Sequence, residues 1–210
     1  MSVERPPEGG AEHWGEEAWQ RLLTFGRMLE EQGNERGLIG PRELERLWSR
    51  HILNSAAPIE WIPRDAKVGD VGSGAGFPGV VIAILRPDAE VTLIESMERR
   101  TEWLREVRKE LKLKNLKIRQ TRAEDLRGHF LADVVTARAV ANLKKLLPWV
   151  MPLLRPGGSL LALKGKRAGE EIDAAGNQLR AYKAAWADVY PVMPFGTDEE
   201  TFVVEVRKLG

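Results

Sequence analysis

The sequence predicts a doubly wound α/β fold: a seven-stranded, mainly parallel sheet preceded by an N-terminal helical extension. Three observations point there. A glycine-packed turn, Asp70-Val71-Gly72-Ser73-Gly74-Ala75-Gly76-Phe77-Pro78-Gly79, lies between a strand-like apolar run and a helix-like one. From Lys67 onward, strand-like and helix-like segments alternate. The chain has 210 residues, enough for one sizeable α/β core and a small extension.

Met1 to Gly10 is rich in Pro, Glu and Gly and is expected to be disordered. Residues 11–60 read as the helical extension. Trp14, Ala18, Trp19, Leu22, Leu23, Phe25, Met28 and Leu29 recur at helical spacing until Gly33 stops the pattern. Pro41 opens a second helix, with Leu44, Leu47, Trp48, His51 and Ile52 on its inner face. Pro58 and Pro63 close the extension, whose aromatics are expected to staple it to the core. Residues 61–210 form the main domain. Strands are predicted over 67–71, 91–95, 116–121, 133–138, 159–164, 187–191 and 202–207. Helices are predicted from 77 or 78, over 97–111 and 143–151, and near 170–180. The last two strands are joined by a Pro/Gly-bearing loop without a helix, so a final antiparallel strand is expected at the sheet edge.

The glycine turn is the most informative stretch. A side chain there would keep the backbone from closing on a ligand, and some turn positions take positive φ. Two patterns overlap. Gly74-x-Gly76-x-x-Gly79 fits the dinucleotide fingerprint, in which amides and a helix N-terminus cradle a pyrophosphate. Asp70-x-Gly72-x-Gly74-x-Gly76 resembles the first motif of class I S-adenosylmethionine-dependent methyltransferases. Ligand charge separates the two. S-adenosylmethionine has no phosphate, and its sulfonium and amino groups are cationic, so Asp70 suits it and would repel a pyrophosphate. Glu95, at the end of the next strand, suits the ribose hydroxyls of either ligand. The balance favours the methyl donor, with a nicotinamide-dependent oxidoreductase as the alternative.

The chain contains no cysteine. That removes disulfides and thiolate metal sites and makes the cytoplasm the expected location. It also excludes thiolate-assisted methylation at pyrimidine carbon 5 and radical transfer through a cysteine-held iron–sulfur cluster. His13, His51 and His129 are far apart, so no metal site is expected. Neither a membrane span nor a secretory signal is expected. Net charge is +1, which does not describe a general polyelectrolyte binder. Ten Lys or Arg residues between Arg99 and Arg122 interleave with Glu102, Glu106 and Glu110, the pattern of a solvated helix face with i,i+4 pairs. Lys164, Lys166 and Arg167 follow a strand end on the ligand side of the sheet and are expected to hold phosphates.

Taken in order, the motifs resemble those of the bacterial rRNA small subunit methyltransferase G family, also called the glucose-inhibited division protein B family. The likeness runs from about Gly37 to Val206. It rests on Leu47-Trp48-Ser49-Arg50-His51-Ile52-Leu53-Asn54-Ser55, the glycine turn, Arg86-Pro87, and Leu93-Ile94-Glu95-Ser96 followed by Arg99-Arg100. Arg122-Ala123-Glu124, Ala137-Arg138-Ala139 and Leu161-Ala162-Leu163-Lys164-Gly165 complete the series. The resemblance implies a Rossmann-like class I methyltransferase domain. It also implies methyl transfer from S-adenosylmethionine to N7 of one guanine in 16S rRNA, within the small ribosomal subunit or an assembly intermediate. By motif matching, Gly72, Gly74, Gly76 and Phe77 line the cofactor site beside Asp70, Glu95 takes the ribose, and Ala123 and Glu124 take the adenine edge. Arg138 stands at the cofactor. The family usually has Asp where Asn54 stands and often Ser where Ala137 stands.

Bottom-up chemistry agrees with N7. That atom carries an in-plane lone pair and no proton, so it attacks a sulfonium methyl without a general base or a covalent enzyme intermediate. Proximity, in-line alignment and a suitable field suffice. The Asn/Asp-Pro-Pro-aromatic tetrapeptide that holds an exocyclic amine is absent; Ala137-Arg138-Ala139-Val140 stands in its place. Arg138 is therefore the candidate catalytic residue, orienting cofactor and base jointly, with Glu124 or Asp70 offsetting its charge. The competing role for Arg138 is a buried ion pair that braces the sheet end. His51, on an inner helix face, is either a packing residue or a contact for substrate RNA. A monomer is expected. The rival from another class is a methyltransferase-like RNA- or ribosome-binding protein without catalysis, against which the intact glycines and both acids speak.

Overall fold

The strands are β1 (Lys67–Val71), β2 (Glu90–Glu95), β3 (Leu116–Gln120), β4 (Ala132–Arg138), β5 (Leu154–Lys164), β6 (Ala184–Val192) and β7 (Thr201–Lys208). They form one sheet of order β3-β2-β1-β4-β5-β7-β6 in the computed structural model, which describes residues 3–210. The first five strands pair in parallel, and β7 runs antiparallel to both β5 and β6. This is the doubly wound, seven-stranded arrangement with a reversed strand near its edge. β5 starts earlier than expected because Leu154 pairs with Ala132 ahead of an irregularity at the Pro/Gly stretch.

Eight helices flank the sheet among the described residues: α1 (Gly10–Trp14), α2 (Glu16–Gln32), α3 (Pro41–Leu44), α4 (Gly79–Leu85), α5 (Glu98–Glu110), α6 (Leu143–Val150), α7 (Ala168–Ala174) and α8 (Gly176–Ala181). Strand side chains alternate between two cores, as the two-residue period of a strand requires. Leu161, Leu163 and Val203 face the layer of α2, α4 and α5, together with Trp19, Leu22, Phe25, Trp48 and Ile52. Leu160, Ala162, Val204 and Val206 face the layer of α6. The helices of residues 11–60 thus share a core with the sheet and have none of their own. Along α5, Thr101, Trp103, Leu104 and Val107 are buried and the basic residues lie outside. Its expected i,i+4 pairs are replaced by longer ones: Arg36 reaches Glu106 at 2.7 Å, and Arg100 approaches Glu95 at 3.6 Å.

The segment after Pro41 departs from its expected single helix. α3 ends at Leu44, and Leu47–Leu53 forms a π-helical turn with Leu47, Trp48, Ile52 and Leu53 buried. The Glu4 carboxylate accepts the amides of Trp48 at 2.8 Å and Ser49 at 2.9 Å, filling orphan donors at the start of that turn. This contact also reaches into the N-terminal segment. Residues 1 and 2 lie outside the described residues; residues 3–9 contain no helix or strand, yet Glu4 ties them down and Pro7 packs on Gly196. Among the described residues, no helix is long and apolar enough to cross a membrane.

Candidate active site at the carboxyl edge of the sheet

Strand register assembles the site. Val71 pairs with Ile94 and Ala137, and Glu95 pairs with Gln120. Gly72, Glu95, the turn at Ala123 and Arg138 therefore meet at one edge of four neighbouring strands, where ligands bind in such sheets. Gly72, Gly74 and Gly76 take φ of +70°, +55° and +116°, conformations that side chains disfavour. A Cβ on Gly72 would stand 2.7 Å from Val140 Cγ2, so the cradle is closed to any larger residue.

Three side chains brace this loop. Glu95 is buried, with Oε2 accepting from the Gly74 amide at 3.0 Å and Oε1 from the Met97 amide at 2.9 Å. Trp103 Nε1 donates to the Ala75 carbonyl at 2.9 Å. Asp70 is fully enclosed: Oδ2 accepts from the Gly79 amide at 3.2 Å and Oδ1 from the Thr136 hydroxyl at 2.9 Å. Burial outweighs these bonds and pushes the Asp70 carboxyl up to about 6. Both Asp70 oxygens are engaged inside the protein, where they hold the loop at Gly79 and the strand at Thr136. Residues 70–79 bring two structural features a cationic, phosphate-free ligand needs: a backbone cradle and an acid, with no Lys or Arg among them. S-adenosylmethionine fits that donor set.

Arg138 ends β4 and is followed by Ala139 at φ +55°. Its Nη1 donates to the Arg50 carbonyl at 2.9 Å, and its Nη2 donates to His51 Nδ1 at 2.6 Å. The guanidinium carbon lies 4.8 Å from the centre of the Phe77 ring, a cation–π distance. Burial lowers its pKa to about 10, so it stays charged at neutral pH. His51 Nε2 lies 2.8 Å from Glu43 Oε2. Burial, then the Arg138 charge, hold His51 down at about 4.

An open cleft of about 830 Å³ adjoins Arg138, lined among others by Arg50, His51, Asn54, Lys166 and Glu199. Lys164 also lines it, with its ammonium partly engaged inside the protein. Its Nζ donates to the Ala141 carbonyl at 2.5 Å and pairs with Glu171 at 2.8 Å, while Glu171 also accepts the Leu143 amide at 2.7 Å. Lys164 is thus a clasp of the 141–143 loop, and one of its three N–H donors is left over at the cleft. Lys166 is exposed at the mouth. Arg167 is exposed, pairs with Glu170 at 2.8 Å and borders a neighbouring depression. Ala123 is buried and Glu124 exposed in the short helical turn after β3. Ala137 is buried within the sheet. Sequence reasoning missed Glu43, Trp103, Thr136 and Glu171. Trp103 looks like core from its place on the apolar stripe of α5, and the other three have no local signature.

A family model described as rRNA small subunit methyltransferase G matches residues 18–191. The Ribosomal RNA small subunit methyltransferase G of Beutenbergia cavernae is 54% identical over 185 residues, covering 88% of this chain and 87% of that protein. Its namesake in Leifsonia xyli is 49% identical over 203 residues, covering 97% and 96%. Among solved structures, M. jannaschii TYW2 in complex with AdoMet superposes with a TM-score of 0.61 at 18% identity, covering 77% of each chain. Precorrin-6y C5,15-methyltransferase from Geobacter metallireducens gives 0.55 at 15% identity, covering 81% and 90%. The two structural neighbours share the Rossmann-like fold of class I methyltransferases. With the family model spanning most of its length and relatives of such identity across nearly all of it, the chain belongs to the rRNA small subunit methyltransferase G family of S-adenosylmethionine-dependent methyltransferases.

Proposed function

We propose that this chain transfers the methyl group of S-adenosylmethionine to N7 of one guanine in 16S rRNA, as a cytoplasmic monomer acting on the small subunit or an assembly intermediate. One observation carries the choice of a base-free reaction. Both ring nitrogens of His51 are engaged, by Arg138 and Glu43, so this corner of the cleft offers a guanidinium and no imidazole base. Guanine N7 needs no base, because its lone pair is free at neutral pH.

S-adenosylmethionine supplies the electrophilic methyl. Gly72, Gly74 and Gly76 admit its body, and the unused lone pairs of Glu95 take the ribose hydroxyls. Ala123 and Glu124 border the adenine. Arg138 uses two of its five N–H donors inside the protein. The remaining three suit guanine O6, the bonding atom that fixes N7 beside it, or a flanking phosphate. Lys166 and Arg167 contact RNA phosphates at the rim. The test is an assay with methyl-labelled S-adenosylmethionine on small subunits from cells lacking the gene, followed by mapping of the base. Label at one guanine N7 is expected; label at an exocyclic amine, a ribose or a pyrimidine carbon would overturn the proposal.

A further inference from the structure

We propose that Glu43 and His51 are positioning residues for methyl transfer: Glu43 fixes the tautomer of His51, and His51 fixes the guanidinium of Arg138. The proposal rests on Arg138 orienting cofactor and base, as argued above.

The chain of contacts leaves one protonation pattern. A guanidinium has only donors, so His51 Nδ1, 2.6 Å from Arg138 Nη2, must be the unprotonated acceptor. The single proton of the neutral ring then sits on Nε2 and is donated to Glu43 Oε2 at 2.8 Å. The other tautomer would set N–H against N–H at Arg138 and a lone pair against the carboxylate at Glu43. A doubly protonated ring would also break the bond to Arg138. The groups facing the ring are Glu43 from α3, Arg50 from the π turn and Arg138 from β4; burial and the two arginines outweigh the carboxylate, which keeps the ring neutral.

The result is a guanidinium held from three sides. Nη2 is bound by His51, Nη1 by the Arg50 carbonyl, and the face of the group lies over Phe77. Both hydrogen-bond acceptors come from the π turn, where backbone irregularity often marks a functional site. Without His51 the Arg138 fork pivots about its remaining bond, and a shift of about 1 Å at a reacting group lowers rate by up to about 100-fold.

The experiment measures kcat and KM on small subunits from cells lacking the gene, for Glu43→Ala, His51→Ala, His51→Asn, Arg138→Ala and the double variants with Arg138→Ala. The Glu43 side chain is 39% exposed, so Glu43→Ala is expected to keep the fold, which circular dichroism checks. Arg138→Ala is expected to lower kcat by about 100-fold or more, His51→Ala by about 10-fold and Glu43→Ala by about threefold. For Glu43→Ala and His51→Ala, KM for S-adenosylmethionine should move by less than about threefold. His51→Asn should recover most of the rate, because its Oδ1 stands near the position of Nδ1 and accepts from Arg138. Each double variant should be no slower than Arg138→Ala alone, since Glu43 and His51 act through it.

Multiplying effects in the double variants would overturn the proposal, as would wild-type rates for Glu43→Ala and His51→Ala beside a slow Arg138→Ala. A wild-type rate for Arg138→Ala would instead overturn the role of Arg138 itself. If His51→Ala does not fold, Glu43→Ala and its double variant give the same answer. Imidazole nitrogen NMR supplies a readout that does not depend on activity: His51 should remain the neutral Nε2–H tautomer between about pH 5 and pH 8, and titration near pH 6.5 would refute it.

Discussion

Asp70→Asn is expected to stabilise the free protein at neutral pH while weakening its hold on S-adenosylmethionine. The carboxylate is fully enclosed and accepts from the Gly79 amide and the Thr136 hydroxyl. An asparagine meets the same partners: its oxygen accepts from Gly79, and its amide donates to a Thr136 hydroxyl that turns around. Burial raises the folded pKa of Asp70 to about 6 from an ordinary value of 3.8. The folded state therefore binds this proton more tightly than the unfolded chain. The resulting stability is fully present below about pH 4 and is lost as pH rises through about 6. A shift of about two units, at roughly 1.4 kcal/mol each, makes the loss about 3 kcal/mol. Urea unfolding of both proteins at a series of pH values tests this. The stability of Asp70→Asn minus that of the parent should climb by about 3 kcal/mol between about pH 4 and pH 7, and subtraction cancels other groups such as Asp88 and Glu90. A flat difference would refute the reasoning. Calorimetry at pH 7.5 should show affinity for S-adenosylmethionine lower by roughly tenfold; unchanged affinity would mean that the Asp70 charge does not act on the ligand.

Lys164→Ala should lower stability by about 1–3 kcal/mol in urea unfolding, because it strands the Ala141 carbonyl and the half-buried Glu171. Lys166→Gln should leave stability within about 0.5 kcal/mol, yet flatten the salt dependence of small-subunit binding by about one unit of slope. Trp103→Phe leaves the buried Ala75 carbonyl unpaired, so a loss of about 1–3 kcal/mol is expected, together with weaker cofactor binding measured by calorimetry. Gly72→Ala meets both φ +70° and Val140 at 2.7 Å; abolished cofactor binding with a retained circular-dichroism spectrum is the expected outcome.

The centre of the sheet was readable because β1, β2, β4 and β5 are largely buried on both faces and punctuated by Gly and Pro. The expected strand ends at residues 71, 95, 138 and 164 are those of β1, β2, β4 and β5. The glycine loop was readable because its backbone leaves no other residue type. The π turn was not. Leu44, Leu47, Trp48, His51 and Ile52 keep a three- and four-residue spacing, and over so short a segment that spacing fits either kind of turn. Glu4, which caps the turn, stands 44 residues from Trp48. The loop-clasping contacts of Lys164 were hidden for a related reason. Its place beside the ligand edge is set by the strand and visible in sequence, whereas its engagement by Glu171 and the Ala141 carbonyl depends on how a loop folds back. Charged residues declare their position by pattern and their partners only in three dimensions.

A methyl transfer from sulfonium to N7 begins and ends with one positive charge, which moves from the sulfur to the guanine ring. No proton has to be removed, so the site requires fixed fields and fixed positions. On the proposed function Arg138 supplies position, but a guanidinium beside N7 would oppose the arriving charge, and a hydrogen bond to O6 would draw density from the ring. Asp70 lies on the neighbouring strand, with Thr136 as its register partner two residues before Arg138. The two charges feel each other: Asp70 raises the pKa of Arg138, and Arg138 lowers that of Asp70. An asparagine would satisfy the same hydrogen bonds without the stability loss of about 3 kcal/mol at neutral pH. Folding alone therefore favours the amide; on the proposed function, the carboxylate serves in the bound state, offsetting Arg138 while the positive charge passes to the base. On that account Asp70→Asn lowers kcat as well as cofactor affinity, and a variant that binds more weakly but turns over at the parent rate under saturation would confine the role of Asp70 to binding.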